Sequence, residues 1–258
     1  GERYGIVFDF KQVPFGSRII MENIGGDAPF GGDVGGDLDP DDLFPERQTD
    51  RIMAFDVSQP LDTSIDDDFD PALIHHYGGN GNDVDRTRKV ALFEGKDEYG
   101  RLQPLLGTAE PATDYKDQPV LDHDGTQIEG AVAWHSPTTE NPALGATEVW
   151  EIYNDTEDAH PVHLHLVNFE VLGRQKFTAV AVEKDVMQHN GAVGKGFKLT
   201  NIALGGPGRP LLDEEKAPKD MVTAYPGEVT RIKATFDKPG RYVWHCHILS
   251  HEDHEMMR

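Results

Sequence analysis

What most limits how this chain can fold is a succession of short alternating apolar runs, with no long amphipathic helical period between them. Residues 18–23, 51–57, 89–94, 148–154, 163–172, 228–236 and 241–248 each read as strands. Alternate side chains of a strand face opposite sides of a sheet, so only every second one needs to be apolar. Turn chemistry separates the runs. Tyr225-Pro226-Gly227 and Asp237-Lys238-Pro239-Gly240 join a fixed proline φ to a permissive glycine. Many short strands with tight reversals imply an all-β sandwich or barrel. The opening residues add another candidate strand, with Tyr4, Ile6 and Phe8 alternating and Val7 and Phe10 extending the run. Such a strand needs a pairing partner, so the chain is expected to be the C-terminal part of something longer.

Composition narrows the function classes. The 258 residues carry 24 Lys and Arg against 46 Asp and Glu, a formal charge of −22, and a hydrophobic content of 37% that suffices for a core. A chain this acidic repels nucleic acid and anionic membrane surfaces, which excludes both as expected partners. The same acidity suggests a salty habitat, where screening is strong. No run approaches the roughly 18 apolar residues of a membrane-spanning helix. A single cysteine, Cys246, rules out an intrachain disulfide and leaves a buried filler, a reactive thiol or a metal ligand. Two acidic stretches interrupt the strand pattern. Asp62 to Asp70 reads as an inter-domain linker, and Gly25 to Asp42 as either a solvated loop or a loop of hard oxygen ligands resembling a calcium site.

The chemistry is concentrated in two windows. The first reads His160-Pro161-Val162-His163-Leu164-His165, and the second runs from His245-Cys246-His247 through His251, Glu252 and His254 to Met256. On a strand, His163 and His165 share a face, while His160, just before Pro161, falls in the turn entering it. The same alternation sends His245 and His247 to one face and Cys246 to the other. Sorting by face gives two sets. Cys246, His160, His251 and Met256 offer two imidazoles, a thiolate and a weak thioether, the ligand set of a blue copper electron-transfer centre. His163, His165, His245 and His247 are all imidazole and suit copper or zinc, though without a carboxylate they do not look like a hydrolytic zinc site. Zinc-finger spacing is absent, and a Cys–His hydrolase would leave most of these histidines unexplained. His75, His76, His123, His135 and His189 have no such company and read as surface residues.

The two windows resemble the C-terminal copper motifs of the multicopper oxidases, the family of laccases, bilirubin oxidases and ascorbate oxidases. Further segments resemble its bacterial spore-coat laccase branch: Glu2-Arg3-Tyr4 with Asp9-Phe10, Gly31-Gly32-Asp33-Val34, Asp97-Glu98-Tyr99-Gly100-Arg101, Trp134-His135 with Pro137, Thr147-Glu148-Val149-Trp150, and the run from Gly240 to Arg258. The resemblance implies cupredoxin-like Greek-key domains: residues 1–60 as the end of a second domain, 61–85 as an acidic linker and 86–258 as a third domain, with 105–130 as an insertion. It implies a type 1 copper on His160, Cys246, His251 and axial Met256, a type 2 copper ligand at His163, and type 3 ligands at His165, His245 and His247. Electrons from phenolic, bilirubin-like or metal-ion donors would pass through Cys246 to a trinuclear cluster that reduces dioxygen to water. Glu252 matches a proton-delivery position, against which stands a plain solvated carboxylate. The axial methionine implies a lower copper potential than leucine or phenylalanine would give. An extracellular, periplasmic or spore-coat location follows by analogy only.

The pattern also departs from the family. The trinuclear cluster needs two further His-x-His pairs from an N-terminal cupredoxin portion, and this sequence has no His-x-His beyond 163–165 and 245–247. Dioxygen reduction is therefore expected only if that portion is supplied. The rival reading is a non-catalytic cupredoxin, an electron carrier or copper binder using the type 1 site alone, which leaves the four other histidines without a task.

Overall fold

A computed structural model describes residues 1–23, 25, 30–31, 51–65, 68–70 and 83–258. Its contacts divide into two compact units, one of residues 3–75 and one of residues 1–2 with 76–258. Most of the Gly25 to Asp42 loop, and with it the calcium reading, lies outside the described residues, as do His75 and His76.

In the smaller unit, strand β1 (Arg18–Glu22) pairs antiparallel with β2 (Arg51–Asp56). Arg18 donates to both carboxylate oxygens of Asp56 at 2.6 and 2.7 Å across the pair. The strand expected over residues 4–10 does not form. Its alternating aromatics pack by side chain, with the Phe8 and Phe10 rings 4.9 and 5.5 Å from Phe55. Ring contacts among partly exposed aromatics accompany this alternation without a backbone ladder.

The larger unit is the all-β sandwich that the alternation implies. Its strands are β3 (Arg86–Lys96), β4 (Leu102–Thr108), β5 (Gly130–Val132), β6 (Thr147–Asn154), β7 (His160–Leu164), β8 (Phe169–Met187), β9 (Val193–Arg209), β10 (Met221–Ala224), β11 (Glu228–Thr235) and β12 (Trp244–Cys246), followed by a short helix α1 (Leu249–Asp253). Seven form one sheet in the order β5-β4-β3-β6-β11-β8-β9, and three form a second in the order β10-β7-β12. β3 and β6 run parallel, and a bridge between Lys96 and Lys195 brings β9 back to β3, so the large sheet curls towards closure.

The main core lies between the sheets. Val90, Leu92, Trp150, Ile152, Phe169 and Ile232 of the large sheet meet Val162, Leu164, Val222, Trp244 and Cys246 of the small one. Each large apolar side chain buried here contributes about 1.5–3 kcal/mol. A second core, with Phe93, Leu105, Tyr153, Phe177 and Leu199, fills the inside of the curl.

Several boundaries differ from the sequence reading. The run 163–172 breaks between β7 and β8 because Leu166 adopts φ 65°, a reversal that ends a strand. The run 241–248 contracts to β12. The expected insertion at 105–130 begins later, since Leu105 and Leu106 are wholly buried in β4. Residues 109–129 form the excursion, held by bridges Thr113 to Pro119 and Leu121 to Gln127. The long β8–β9 hairpin was missed, although Asn190-Gly191 at its tip is a strong hairpin signal and Gly191 takes the φ of +83° that the turn demands.

Candidate metal centre

β7 lies in the middle of the small sheet, and its two faces do different work. It pairs with β12 so that His163 faces His245 and Val162 faces Cys246, and with β10 so that His160 faces Ala224. His160, Val162 and Leu164 are buried on the sandwich side. His160 is therefore the first residue of the strand and not part of the turn before it, because its backbone already pairs with Ala224. In β12, Trp244 and Cys246 point into the sandwich and His245 points away, as alternation requires.

On the inward side the donor atoms of His160, Cys246 and His251 lie within 4.8 Å of one another. Cys246 Sγ is 3.5 Å from His160 Nδ1 and 4.0 Å from His251 Nδ1, and the two Nδ1 atoms are 3.4 Å apart. An ion about 2.0 Å from each nitrogen and about 2.3 Å from the sulfur would span such a triangle. His251 is brought in by α1, and Met256 by the return of the chain: Met256 N–H donates to His251 O and Cys246 N–H to Met256 O, at 3.0 and 3.1 Å. Met256, His160 and Cys246 are fully buried.

The electrostatics suit a metal. Burial, aided by His251, pushes His160 down to about 3, so it stays a neutral ligand. Burial pushes the Cys246 thiol up to about 12, so its thiolate needs a cation in place to form at neutral pH. With Nδ1 turned to the sulfur, His160 Nε2 carries the proton and donates to Thr156 Oγ1 at 2.7 Å, whose hydroxyl donates to Asn154 Oδ1 at 2.7 Å. Asn154 Nδ2 donates in turn to the carbonyls of Asp158 and Ala224 at 2.8 and 3.0 Å. This buried relay selects the tautomer that leaves Nδ1 free. The sequence reading missed Thr156, although its place four residues before His160 is the signal that could have found it.

The outward side holds the second set. Donor atoms of His163, His165 and His245 lie within 4.8 Å of one another, with Nε2 of His165 and His245 3.1 Å apart. The His247 ring stands 5.5 Å from that of His245 and 5.9 Å from that of His163. Here the Nδ1 atoms face protein acceptors: His163 Nδ1–H donates to Asp220 O at 2.7 Å, and His245 Nδ1 is 3.0 Å from Cys246 O and 3.2 Å from Glu252 Oε2. Nε2 is thus the free atom in both. Burial lowers the pKa of His165, and neighbouring His163 and His245 lower it further, which favours the neutral ligand form. His254, like Glu252, stays outside both sets.

An all-β unit with a buried His–Cys–His group on one side of its small sheet and a group of three imidazoles on the other offers two places that could hold a metal ion. The family profile described as multicopper oxidase matches residues 112–258. A laccase of Bacillus subtilis strain 168 is 36% identical over 260 residues, covering all of this chain and 40% of that protein. Multicopper oxidase LPR1 of Arabidopsis thaliana is 38% identical over 272 residues, covering 98% and 40%. Among solved structures, a variant of the McoA multicopper oxidase from Aquifex aeolicus aligns over 97% of this chain and 42% of its own, at 21% identity and a TM-score of 0.46.

The chain belongs to the multicopper oxidase family, whose cofactor is copper. It spans about 40% of the length of the curated relatives named here. Among the described residues, no helix is long and apolar enough to cross a membrane.

Proposed function

We propose that the chain supplies the donor-side copper site and half of the oxygen-side site of a laccase-like oxidase. In this reading residues 1–60 end a second cupredoxin domain, 61–85 link, and 86–258 form the third. His160, Cys246, His251 and Met256 hold a type 1 copper, His163 is a type 2 ligand, and His165, His245 and His247 are type 3 ligands. When bound, copper supplies single-electron acceptance from a phenolic, bilirubin-like or metal-ion donor and four-electron reduction of dioxygen to water. An N-terminal cupredoxin portion provides the remaining histidines, and the location is extracellular, periplasmic or spore-coat, as for a laccase.

The observation that carries this reading is the His245-Cys246-His247 alternation. It sets a buried sulfur on one face of β12 and an imidazole on the other, joined by covalent backbone and by the contact of His245 Nδ1 with Cys246 O. Burial excludes water from Cys246, His160 and Met256, the Thr156 relay orients His160, and Asp220 O orients His163. Glu252, 3.2 Å from His245 Nδ1 and partly exposed, can hold a proton between solvent and the histidine set. A cupredoxin carrier would leave that set without a use, yet three of its four members converge on one point.

The test is the double substitution His163→Ala with His247→Ala in the oxidase complete with its N-terminal portion. Oxygen uptake should be abolished and the blue absorption of the thiolate site retained. Surviving oxygen uptake would overturn the assignment of these histidines.

A further inference from the structure

Three histidines outside the two windows meet at one side of the larger unit. His123 lies on the excursion between β4 and β5, His135 just after β5, and His189 at the turn between β8 and β9. The rings of His123 and His135 stack nearly parallel with centroids 6.2 Å apart, and His135 and His189 meet edge to face at 5.7 Å. Sequence distance hid this convergence, so the three read as unrelated surface residues.

His123 and His189 are exposed, whereas His135 is partly covered, and its Nδ1 is closed to solvent with no hydrogen-bond partner. A shielded, unpaired nitrogen of this kind has lost its hydrogen bond to water, a loss that a bound cation would recover. Metal-bound imidazole nitrogens sit about 2.0–2.1 Å from the ion, which puts each ring centre about 3.2 Å away, so two rings sharing an ion at a tetrahedral angle stand about 5.2 Å apart. The 5.7 Å between His135 and His189 is near that value, and the 6.2 Å between His123 and His135 closes to it by rotation of the exposed His123. The shorter one also lies within the 4.6 to 5.9 Å range of the His163, His165, His245 and His247 rings.

The donor atoms of this trio are less converged than those of the two sets already described. Closing the difference takes rotation of two exposed side chains, His123 and His189, about the covered His135. Asp122 and Asp124 flank His123, and the chain's charge of −22 adds a field that attracts cations. Neutral imidazoles with open positions left to water suit a borderline divalent ion rather than calcium or magnesium.

We propose that His123, His135 and His189 form a separate, solvent-facing site for zinc(II), clipping together the 109–129 excursion, the segment after β5 and the tip of the β8–β9 hairpin. The site shares no residue with the copper sets and does not depend on their assignment.

The experiment is calorimetric titration of zinc chloride into the copper-loaded oxidase complete with its N-terminal portion and freed of loosely bound copper, at neutral pH, with blue absorption monitored in parallel. One zinc per chain should bind, with at least tenfold weaker binding in His135→Ala and in the surface double variant His123→Ala with His189→Ala, and with blue absorption unchanged. The double variant alters only exposed side chains, so its fold is not at risk. Failure of the copper-loaded protein to take up zinc, or wild-type affinity in the double variant, would overturn the proposal.

Discussion

The inward and outward faces of the small sheet use the same residue type in opposite ways. Inside, His160 and His251 turn Nδ1 towards the metal position, and the far nitrogen of His160 is tied to Thr156. Outside, His163 and His245 tie Nδ1 to protein oxygens and present Nε2. On the inner side His160, Cys246 and Met256 are fully buried and His251 is partly exposed. The outer site is a wall of imidazoles with one side open. In the proposed assignment the more deeply buried set holds its metal alone, whereas the more open set is completed by another surface. Two residues of strand register, His245 and Cys246, separate the two designs.

Breaking that division at its hinge should have the largest effect. Cys246→Ser removes the thiolate ligand, so blue absorption and oxygen uptake by the completed oxidase should both vanish, while copper on the outer histidines stays. Optical spectra and elemental copper on the same sample check this. A smaller effect is expected inside the sealed face. Thr156→Val keeps the shape but strands the buried His160 N–H, costing about 1–3 kcal/mol of apoprotein stability in denaturant unfolding. It should also alter the blue copper's spectrum or potential. On the open face, Glu252→Gln keeps a hydrogen-bonding group beside His245 and removes its charge. Oxygen uptake should fall several-fold with blue absorption intact, and an unchanged rate would return Glu252 to an ordinary surface carboxylate.

Much of this arrangement was legible in the sequence, because period-two alternation is both a fold signal and a sorting rule for ligands. In the structure Cys246 and His245 lie on opposite faces of the paired strand β12, and the His247 ring stands on the side of His245 and His163. The reading failed where one pattern has two causes. The aromatics of residues 4–10 alternate but pack onto Phe55 without forming a ladder. The 163–172 run alternates across a break that only the positive φ of Leu166 reveals. The β8–β9 hairpin was overlooked because exposed and charged residues dilute its apolar pattern, despite Asn190-Gly191 at its tip. Residues that act through other residues, such as Thr156 and the carbonyl of Asp220, carry no compositional mark, and neither does the meeting of His123, His135 and His189.

The most direct test of the two-face account is the copper content and optical spectrum of the 258-residue chain by itself, loaded with copper and freed of loosely bound ion. Close to one copper per chain, with the blue thiolate absorption, is the expected result, because in the proposed assignment this chain holds all the ligands of the inner site and half of those of the outer one. Close to four coppers would show that the outer histidines need no other surface, and one copper without blue absorption would show that Cys246 is not its ligand.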